Sequence, residues 1–406
     1  MKIPSDIIPR NIYIKRIQPF MRKGLIKVLS GQRRVGKSYL LFQLIRQIQS
    51  EEPGANVIYI NKEDLQFDHI SDAATLNEYV LSQSTTSAPN YIFIDEIQDI
   101  HEFEKALRSL LLDQNNDLYV TGSNANLLSG ELATHLSGRY VEFKVYSLSY
   151  LEFLQFHKLE DDNQKLELYT KYGGLPYLIH LKLDDDAFEY LNSIYNTIVY
   201  RDVISRYNLR NSHILEKLLQ FLADNIGSLF SAKRISDFLK SQHTKIAPNQ
   251  ILQYCSHLAS AFIIHEASRY DLIGRRIFES GTKFYFENTG IRNAIIGYRP
   301  ADRGKLLENL VYNHLVYLGY DVKVGALREK EIDFVCESKN EKLYVQVARR
   351  LDDQTTVDRE FGNLLAIPDN YPKIVVSEDQ FTGNTYEGVR HMQIRQFLKE
   401  TFIQPS

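Results

Sequence analysis

A glycine-rich octapeptide, GQRRVGKS at residues 31–38, leaves this chain few folds to adopt. It fits the pattern G-x-x-x-x-G-K-[ST], in which a loop wraps the phosphates of a nucleoside triphosphate. LIKVLS at 25–30 is typical of a short buried strand, and YLLFQLIRQIQS at 39–50 of an amphipathic helix. A strand, a loop and a helix in this order aim backbone N–H groups and a helix N-terminus at one anion. The octapeptide therefore predicts a triphosphate site in an α/β domain.

A second motif, YIFIDEIQ at residues 91–98, joins an apolar run to two acids. A run this continuous is typical of a parallel strand buried on both faces, and open α/β sheets bind ligands at the carboxyl ends of such strands. We therefore expect Asp95 to hold Mg²⁺, directly or through water, and Glu96 to polarise the water that attacks the γ-phosphate. The alternative is that the two acids merely end the strand.

The phosphate-binding loop is predicted to supply the other ligands of this site. We expect Lys37 to place its charge against the β- and γ-phosphates and Ser38 to offer its hydroxyl to Mg²⁺. The rest of the loop and the residue after it are also predicted to contact the nucleotide: Gly31, Gln32, Arg33, Arg34, Val35, Gly36 and Tyr39. By position, the side chains of Arg33 and Arg34 are expected to point away from the phosphates.

The strand predicted after the acidic one, in LYVTGSNANLL at 118–128, ends in polar residues. One strand lies between the two motifs and a glutamate follows the Mg²⁺ aspartate, which resembles the additional-strand division of P-loop ATPases. That resemblance implies a polar γ-phosphate sensor at the end of this strand. Ser123 and Asn124 are the candidates, and we assign Asn124 to the catalytic set. A plain polar turn is the alternative for either residue.

Arg139 follows a glycine in HLSGRY, residues 135–140, and leads into a predicted strand. An arginine beside the transition-state charge can raise the rate of phosphoryl transfer by several orders of magnitude, so Arg139 is a candidate catalytic finger or sensor. An exposed structural arginine is the alternative. Action on a neighbouring subunit would require a homo-oligomer, whereas action within its own chain would not, and the sequence leaves this choice open.

The composition restricts the class of protein without identifying a partner. A length of 406 residues predicts two to three domains. The net charge of −3 argues neither for nor against a nucleic-acid partner. The N-terminus lacks a signal-peptide core, and no stretch reaches the ~20 apolar residues of a membrane span. The two cysteines form neither a disulfide framework nor a zinc cluster, so a cytoplasmic location and no membrane partner are expected.

The middle of the chain is expected to hold a helical lid at 146–210 and a winged-helix-like domain at 211–299. In the second segment, three predicted helices precede two apolar strands that flank a polar tip containing Arg269, Arg275 and Arg276. This order resembles a winged helix-turn-helix. The third helix offers no Arg or Lys between residues 250 and 257, so the tip is the basic part. The wing is predicted to bind DNA or RNA phosphates or, equally, a protein.

Residues 300–406 predict a helix, three strands, a helix and a strand, which resembles the restriction-endonuclease-like fold. The resemblance implies Mg²⁺ ligands at Glu308, Asp333 and Gln346. A lysine expected at position 348 is replaced by Ala348, which shares a strand face with Gln346 and offers neither proton nor charge. We therefore expect a degenerate, nuclease-inactive domain kept for structure or binding.

The whole chain resembles the bacterial and archaeal AAA-type ATPases with a DUF4143 C-terminal region. The motifs that carry the resemblance are GQRRVGKS, YIFIDEIQ, VTGSNANLLSG, LSGRY, YGGLPYLI and EIDF with YVQVA. It implies ATP binding and hydrolysis with Mg²⁺ but no substrate. We expect an α/β P-loop core at 1–145 acting as a molecular switch that repositions the later domains. A nucleic-acid-binding or processing protein, and a module that hardly hydrolyses ATP, are the alternatives.

Overall fold

The computed structural model describes residues 3–125, 136, 138–241, 243–277, 281–338, 341–379 and 385–401. The chain divides into two compact units, Met1–Tyr146 with Ser260–Phe262, and Ser147–Ala259 with Ile263–Ser406. The segments predicted as lid, winged-helix-like domain and C-terminal domain thus fall almost entirely into the second unit, and their separate boundaries stay a prediction. Among the described residues, no helix combines the length and apolar character needed to cross a membrane.

The first unit is built on a five-stranded sheet in the order β2-β3-β4-β1-β5, with every neighbouring pair parallel. Its strands are β1 (Ile26–Ser30), β2 (Asn56–Asn61), β3 (Asn90–Asp95), β4 (Asn116–Gly122) and β5 (Tyr140–Lys144). All residues of β1, β3 and β4 are buried, as expected of strands covered on both faces. The predicted parallel α/β core is confirmed. The strand that lies between the two motifs in the sequence is β2 at the edge of the sheet, while β4 separates β1 from β3 in space.

The helices of the first unit cover this sheet. They are α1 (Asn11–Ile17), α2 (Lys37–Glu51), α3 (Ala73–Gln83) and α4 (Phe103–Leu110). α2 buries a stripe with helical spacing, including Leu40, Leu44 and Ile48. α3 begins at Asp72, whose side chain forms a reciprocal capping box with Thr75.

The second unit is mainly helical in its first half. Its helices are α5 (Tyr150–His157), α6 (Asn163–Tyr172), α7 (Asp185–Thr197), α8 (Ser212–Asp224), α9 (Ala232–Ser241), α10 (Pro248–Ser260), α11 (Thr289–Ile296), α12 (Arg303–Leu318), α13 (Gln354–Leu365) and α14 (Ile394–Phe397). A π-helix, Ile198–Ser205, directly follows α7. Pro248 occupies the first turn of α10, where its missing N–H removes no helical hydrogen bond.

Two sheets complete the second unit. The smaller pairs β6 (Ile264–Ala267) with β9 (Lys283–Phe286). The larger has the order β14-β15-β13-β12-β11-β10-β7-β8. Its strands are β7 (Arg269–Asp271), β8 (Arg276–Ile277), β10 (Asp321–Leu327), β11 (Lys330–Ser338), β12 (Glu341–Val347), β13 (Lys373–Ser377), β14 (Thr385–Tyr386) and β15 (Val389–Gln393). Helix α12, strands β10 to β12, helix α13 and strand β13 follow one another in the predicted order.

The hairpin that the sequence predicts as a wing is divided between these two sheets. Its base, β6 and β9, forms the small sheet, while its outer part, β7 and β8, extends the large one through parallel pairing of β7 with β10. This pairing satisfies backbone groups of β10 that would otherwise need water. The basic tip is therefore not a free-standing wing, and its Arg276 lies 3.7 Å from the Asp271 carboxylate.

Candidate nucleotide site

The glycine-rich loop leaves the carboxyl end of β1 and enters α2 at Lys37. Gly31 lies so close to β5 that a Cβ there would overlap the carbonyl oxygen of Val145. Gly36 has φ +95°, a left-handed conformation that favours glycine, and it is the N-cap residue immediately before α2. These two glycines allow the loop to fold tightly in front of the N-terminus of α2, where backbone amides attract an anion.

Lys37 lies between the loop and the acidic strand. Its buried Nζ donates hydrogen bonds to the carbonyl oxygens of Gly31 at 2.9 Å and Gln32 at 3.0 Å. The same ammonium is 3.8 Å from Oε1 of Glu96. The structure thus brings together the two motifs that the sequence predicts to share one site.

Asp95 ends β3 as a buried carboxylate with several donors. Thr121 donates to its Oδ1, Tyr59 donates to its Oδ2 at 3.2 Å, and Ser38 hydrogen-bonds to it as well. Burial raises the pKa of Asp95 above its ordinary value, and the bonds from Ser38 and Thr121 offset only part of that rise. The two residues predicted to hold Mg²⁺, Ser38 and Asp95, are therefore neighbours.

Glu96 has a backbone conformation that is rare for a residue with a side chain, with φ +57° and ψ +53°. Its N–H donates to Oγ1 of Thr121 at 2.9 Å, and its carboxylate accepts from Gln98. Burial raises the pKa of this carboxyl, but the charge of Lys37 and the bond from Gln98 lower it more, so the pKa lies below its usual value. Glu96 is thus an ionised acceptor at neutral pH.

Arg33 contacts another part of the chain. It is only 5% exposed, and its Nη1 donates to Glu63 at 3.0 Å, while its predicted orientation away from the phosphates stays a prediction. Its charge also helps to lower the pKa of Glu96. Arg34, with φ +70°, is exposed as expected. Tyr39 is about half exposed, and its ring packs against Phe42.

Two other loop residues have partners distant in the sequence. The carbonyl oxygen of Val35 accepts from Nη1 of Arg10 at 2.9 Å. The side-chain amide of Gln32 donates to the carbonyl oxygen of Phe262 at 3.0 Å. Sequence reasoning missed Arg10, Tyr59, Thr121 and Gln98. Only Thr121 gave a signal, since it is a polar residue at the end of an apolar strand.

The predicted sensors take different positions. Ser123 and Asn124 are buried just beyond the carboxyl end of β4, beside the acidic pair, and Ser123 contributes to lowering the pKa of Glu96. Arg139 is exposed and lies at the other end of the sheet, because the next residue, Tyr140, pairs with Ile26 at the start of β1. The length of β1 therefore separates Arg139 from the loop, which argues against a role within its own chain.

The donors at this site fit Mg²⁺ held together with phosphate oxygens. Mg²⁺ usually binds one or two protein groups and completes its shell with water and phosphate. Ser38 and Asp95 offer one hydroxyl and one carboxylate. No group of three or more His, Cys, Asp or Glu side chains suited to a metal ion occurs in the described part of the chain, so no all-protein metal cage replaces this arrangement there.

The three residues predicted to form a degenerate nuclease-like site do lie near one another. Gln346 accepts from the N–H of Asp333 at 3.2 Å, and burial together with the charge of Glu308 raises the pKa of Asp333. Ala348 is buried. A lysine that sequence reasoning missed, Lys283, lies 3.1 Å from Oε1 of Glu308.

Comparison with known proteins gives one family match over most of the first unit and another over part of the second. An AAA-domain family model matches residues 23–154. A model described as a domain of unknown function, DUF8612, matches residues 163–302, so the DUF4143 resemblance stays a prediction. A solved Walker-type ATPase from Pyrococcus abyssi is 16% identical with a TM-score of 0.46, covering 72% of this chain and 96% of that one.

Two curated relatives cover most of the chain. An uncharacterized protein of Haemophilus influenzae is 36% identical, over 97% of this chain and 98% of its own length. An uncharacterized protein of Methanocaldococcus jannaschii is 31% identical, over 88% of this chain and 80% of its own length. The chain therefore belongs to the family of these bacterial and archaeal proteins, and its N-terminal part is a P-loop domain of the AAA type.

Proposed function

We propose that this protein binds ATP with Mg²⁺, hydrolyses it, and acts as a molecular switch. The observation that supports this best is the convergence of Lys37, Ser38, Asp95 and Glu96 at one end of the sheet. The AAA-domain match supports ATP over another nucleotide. Glycine at positions 31 and 36 lets the loop backbone approach phosphates closely.

Each group has a role that its surroundings support. The N-terminus of α2 and the Lys37 ammonium bind the β- and γ-phosphates. Mg²⁺ held by Ser38 and Asp95 would neutralise the charge that develops on the phosphate oxygens. The ionised Glu96 accepts a hydrogen bond from the attacking water and so orients it. Asn124, buried just beyond the end of β4, would contact the γ-phosphate.

Arg139 can contribute to this chemistry only from another subunit. Its place at the amino end of β5 puts the full length of the strand between it and the carboxyl edge of its own sheet. A partner that presents this arginine to the nucleotide would make hydrolysis depend on a homo-oligomer. The proposed role of Arg139 in hydrolysis therefore requires that the chains assemble.

The switch is proposed to begin at Gln32. Its hydrogen bond to Phe262 joins the loop to a short segment of the first unit that lies, along the chain, directly between α10 and β6. Phe262 has φ +55°, an uncommon conformation for a bulky residue. A change of the loop on nucleotide binding or hydrolysis would be passed to this segment through Gln32.

Turnover and binding of ATP test the enzymatic part. We expect Lys37→Ala to abolish both, and Glu96→Gln to abolish turnover while ATP is still retained. Lys105→Ala is the matched control, because Lys105 is exposed and forms an ion pair with Glu102 three residues earlier in the chain. Unchanged hydrolysis in Lys37→Ala would contradict the proposal.

A second candidate function is binding of nucleic acid through residues 211–299. Helices α8, α9 and α10 precede the two-stranded β6–β9 sheet, and an isolated β-bridge joins Leu229 to Lys283 of β9, an order that resembles a winged helix. The same bridge and helices suit a protein partner. Binding of duplex DNA and RNA over a salt series decides between them, since phosphate contacts give an affinity that falls steeply with salt. Loss of this candidate would leave the ATPase proposal intact.

A further inference from the structure

Lys283 is a buried cation surrounded by acids in the second unit. It lies on β9 with only 3% of its surface exposed. Its Nζ is 3.1 Å from Oε1 of Glu308 on α12 and 2.8 Å from Oε1 of Glu331 on β11. Asp333 lies two residues further along the same face of β11, and it also interacts electrostatically with the Lys283 ammonium. We call Lys283, Glu308, Glu331 and Asp333 the Lys283 cluster.

The Lys283 cluster includes two of the three predicted metal ligands and compensates for the missing strand lysine. β11 and β12 are antiparallel, with Phe334 opposite Val345. Position 348, where the resemblance implies a lysine, is the buried Ala348 and supplies no cation. The cation comes instead from Lys283 on β9, a strand that is distant in the sequence.

One carboxylate oxygen of Glu308 and one of Asp333 already accept hydrogen bonds within the protein. Glu308 Oε1 accepts from Lys283 and from the hydroxyl of Tyr285 at 2.7 Å. Asp333 Oδ2 accepts from the N–H of Val347 at 2.8 Å. The backbone also closes on Glu308, since a Cβ at Gly227 would lie 2.9 Å from Oε1. In the described part of the chain, these acids do not form a group suited to a metal ion.

We propose that the Lys283 ammonium takes the place of a divalent cation in this cluster. It holds β9, α12 and β11 together without metal. A buried ammonium requires compensating charge, and two carboxylates within 3.1 Å supply it. The cluster is therefore a metal-independent electrostatic clamp. This inference does not depend on ATP hydrolysis.

Mn²⁺ binding tests the exclusion of metal. The number of Mn²⁺ ions bound per chain, measured by electron paramagnetic resonance without nucleotide, is expected to be equal in the wild type and in Glu308→Gln. The glutamine keeps an oxygen acceptor for Lys283 and Tyr285 but weakens any metal site. An additional Mn²⁺ in the wild type that Glu308→Gln removes would overturn the proposal.

Thermal unfolding tests the clamp itself. Lys283→Met leaves carboxylates without their cation, and we expect Tm to fall by roughly 5 °C or more. Lys323→Met is the matched control, because Lys323 pairs with Glu337 at 2.8 Å in a more exposed place. Adding Glu308→Gln to Lys283→Met should recover part of the loss, because it removes one uncompensated charge. Equal Tm values for wild type and Lys283→Met would refute the clamp, and if that variant does not fold, the Mn²⁺ comparison still decides.

Discussion

The hydroxyl of Thr121 donates a hydrogen bond to the carboxylate of Asp95. The hydroxyl oxygen of Thr121 also accepts a hydrogen bond from the N–H of Glu96 at 2.9 Å. One side chain on β4 therefore positions Asp95, the last residue of β3, and Glu96, which follows it. The parallel register, in which Ile94 pairs with Val120, brings Thr121 level with Asp95. The carboxylate proposed to hold Mg²⁺ and the one proposed to orient water are thus positioned by a neighbouring strand.

Replacing Thr121 by valine should weaken both functions of the acidic pair. Valine keeps the shape but removes a donor from Asp95 and an acceptor from Glu96, a loss of roughly 1–3 kcal/mol. We expect kcat to fall by about tenfold or more and the Mg²⁺ requirement to rise. Steady-state ATPase rates over a Mg²⁺ series measure both. Thr121→Ser, which keeps the hydroxyl, should stay close to wild type, and equal rates in the valine variant would contradict this role.

Gln98 should influence the pH at which ATPase activity is lost on the acidic side of the pH–rate profile. Burial raises the pKa of Glu96, while Lys37 and Gln98 lower it to a value below the ordinary one, so its ionised form persists as the pH falls. Gln98→Ala removes one of these effects, and the acidic limb of kcat should move to higher pH. The free energy of unfolding should depend on pH in the same direction. The stabilisation from ionised Glu96 is fully present above the pKa of this group in the unfolded chain, and it is lost as the pH falls through the pKa in the folded protein. A pH–rate profile that does not move would show that Gln98 has no such influence.

Arg10 should affect nucleotide binding although it lies outside the motif. Its guanidinium is buried, donates to the Val35 carbonyl at 2.9 Å and lies over the ring of Tyr13. Arg10→Ala would leave a loop carbonyl without this donor, and we expect the Kd for ATP to rise by roughly fivefold or more. Titration with a fluorescent ATP analogue measures this change. Arg16→Ala, in the last turn of the helix α1 that begins directly after Arg10, is the control, and an unchanged Kd in Arg10→Ala would exclude support of the loop.

Arg139 should matter only when chains associate. Five residues of parallel strand, about 13 Å of backbone at ~3.3 Å per step, lie between its end of the sheet and the loop. At dilutions where the protein is monomeric, Arg139→Ala should leave turnover unchanged. If turnover of the wild type rises with protein concentration, the variant should lose that rise. A large loss in the monomer would show that Arg139 acts within its own chain.

The sequence was informative where chemistry is encoded by neighbours in the chain. GQRRVGKS and YIFIDEIQ identified the loop and the acidic strand because each motif combines a local backbone pattern with its reactive groups. Thr121 was missed because its role depends on the pairing of β3 with β4. Lys283 was missed for the same kind of reason, since it meets Glu308 only after β9 and α12 have packed. The contact of Arg33 with Glu63 could not be identified from the sequence, because the two residues lie 30 positions apart.

The pairing of β7 with β10 has a practical consequence for dissecting this protein. A fragment that starts near residue 300 would look complete by its helices and strands, yet β10 would have lost the neighbour that protects it. Such an unprotected strand readily recruits another chain, so the fragment should aggregate where the intact protein does not. Pieces cut from this half of the molecule need to retain the hairpin.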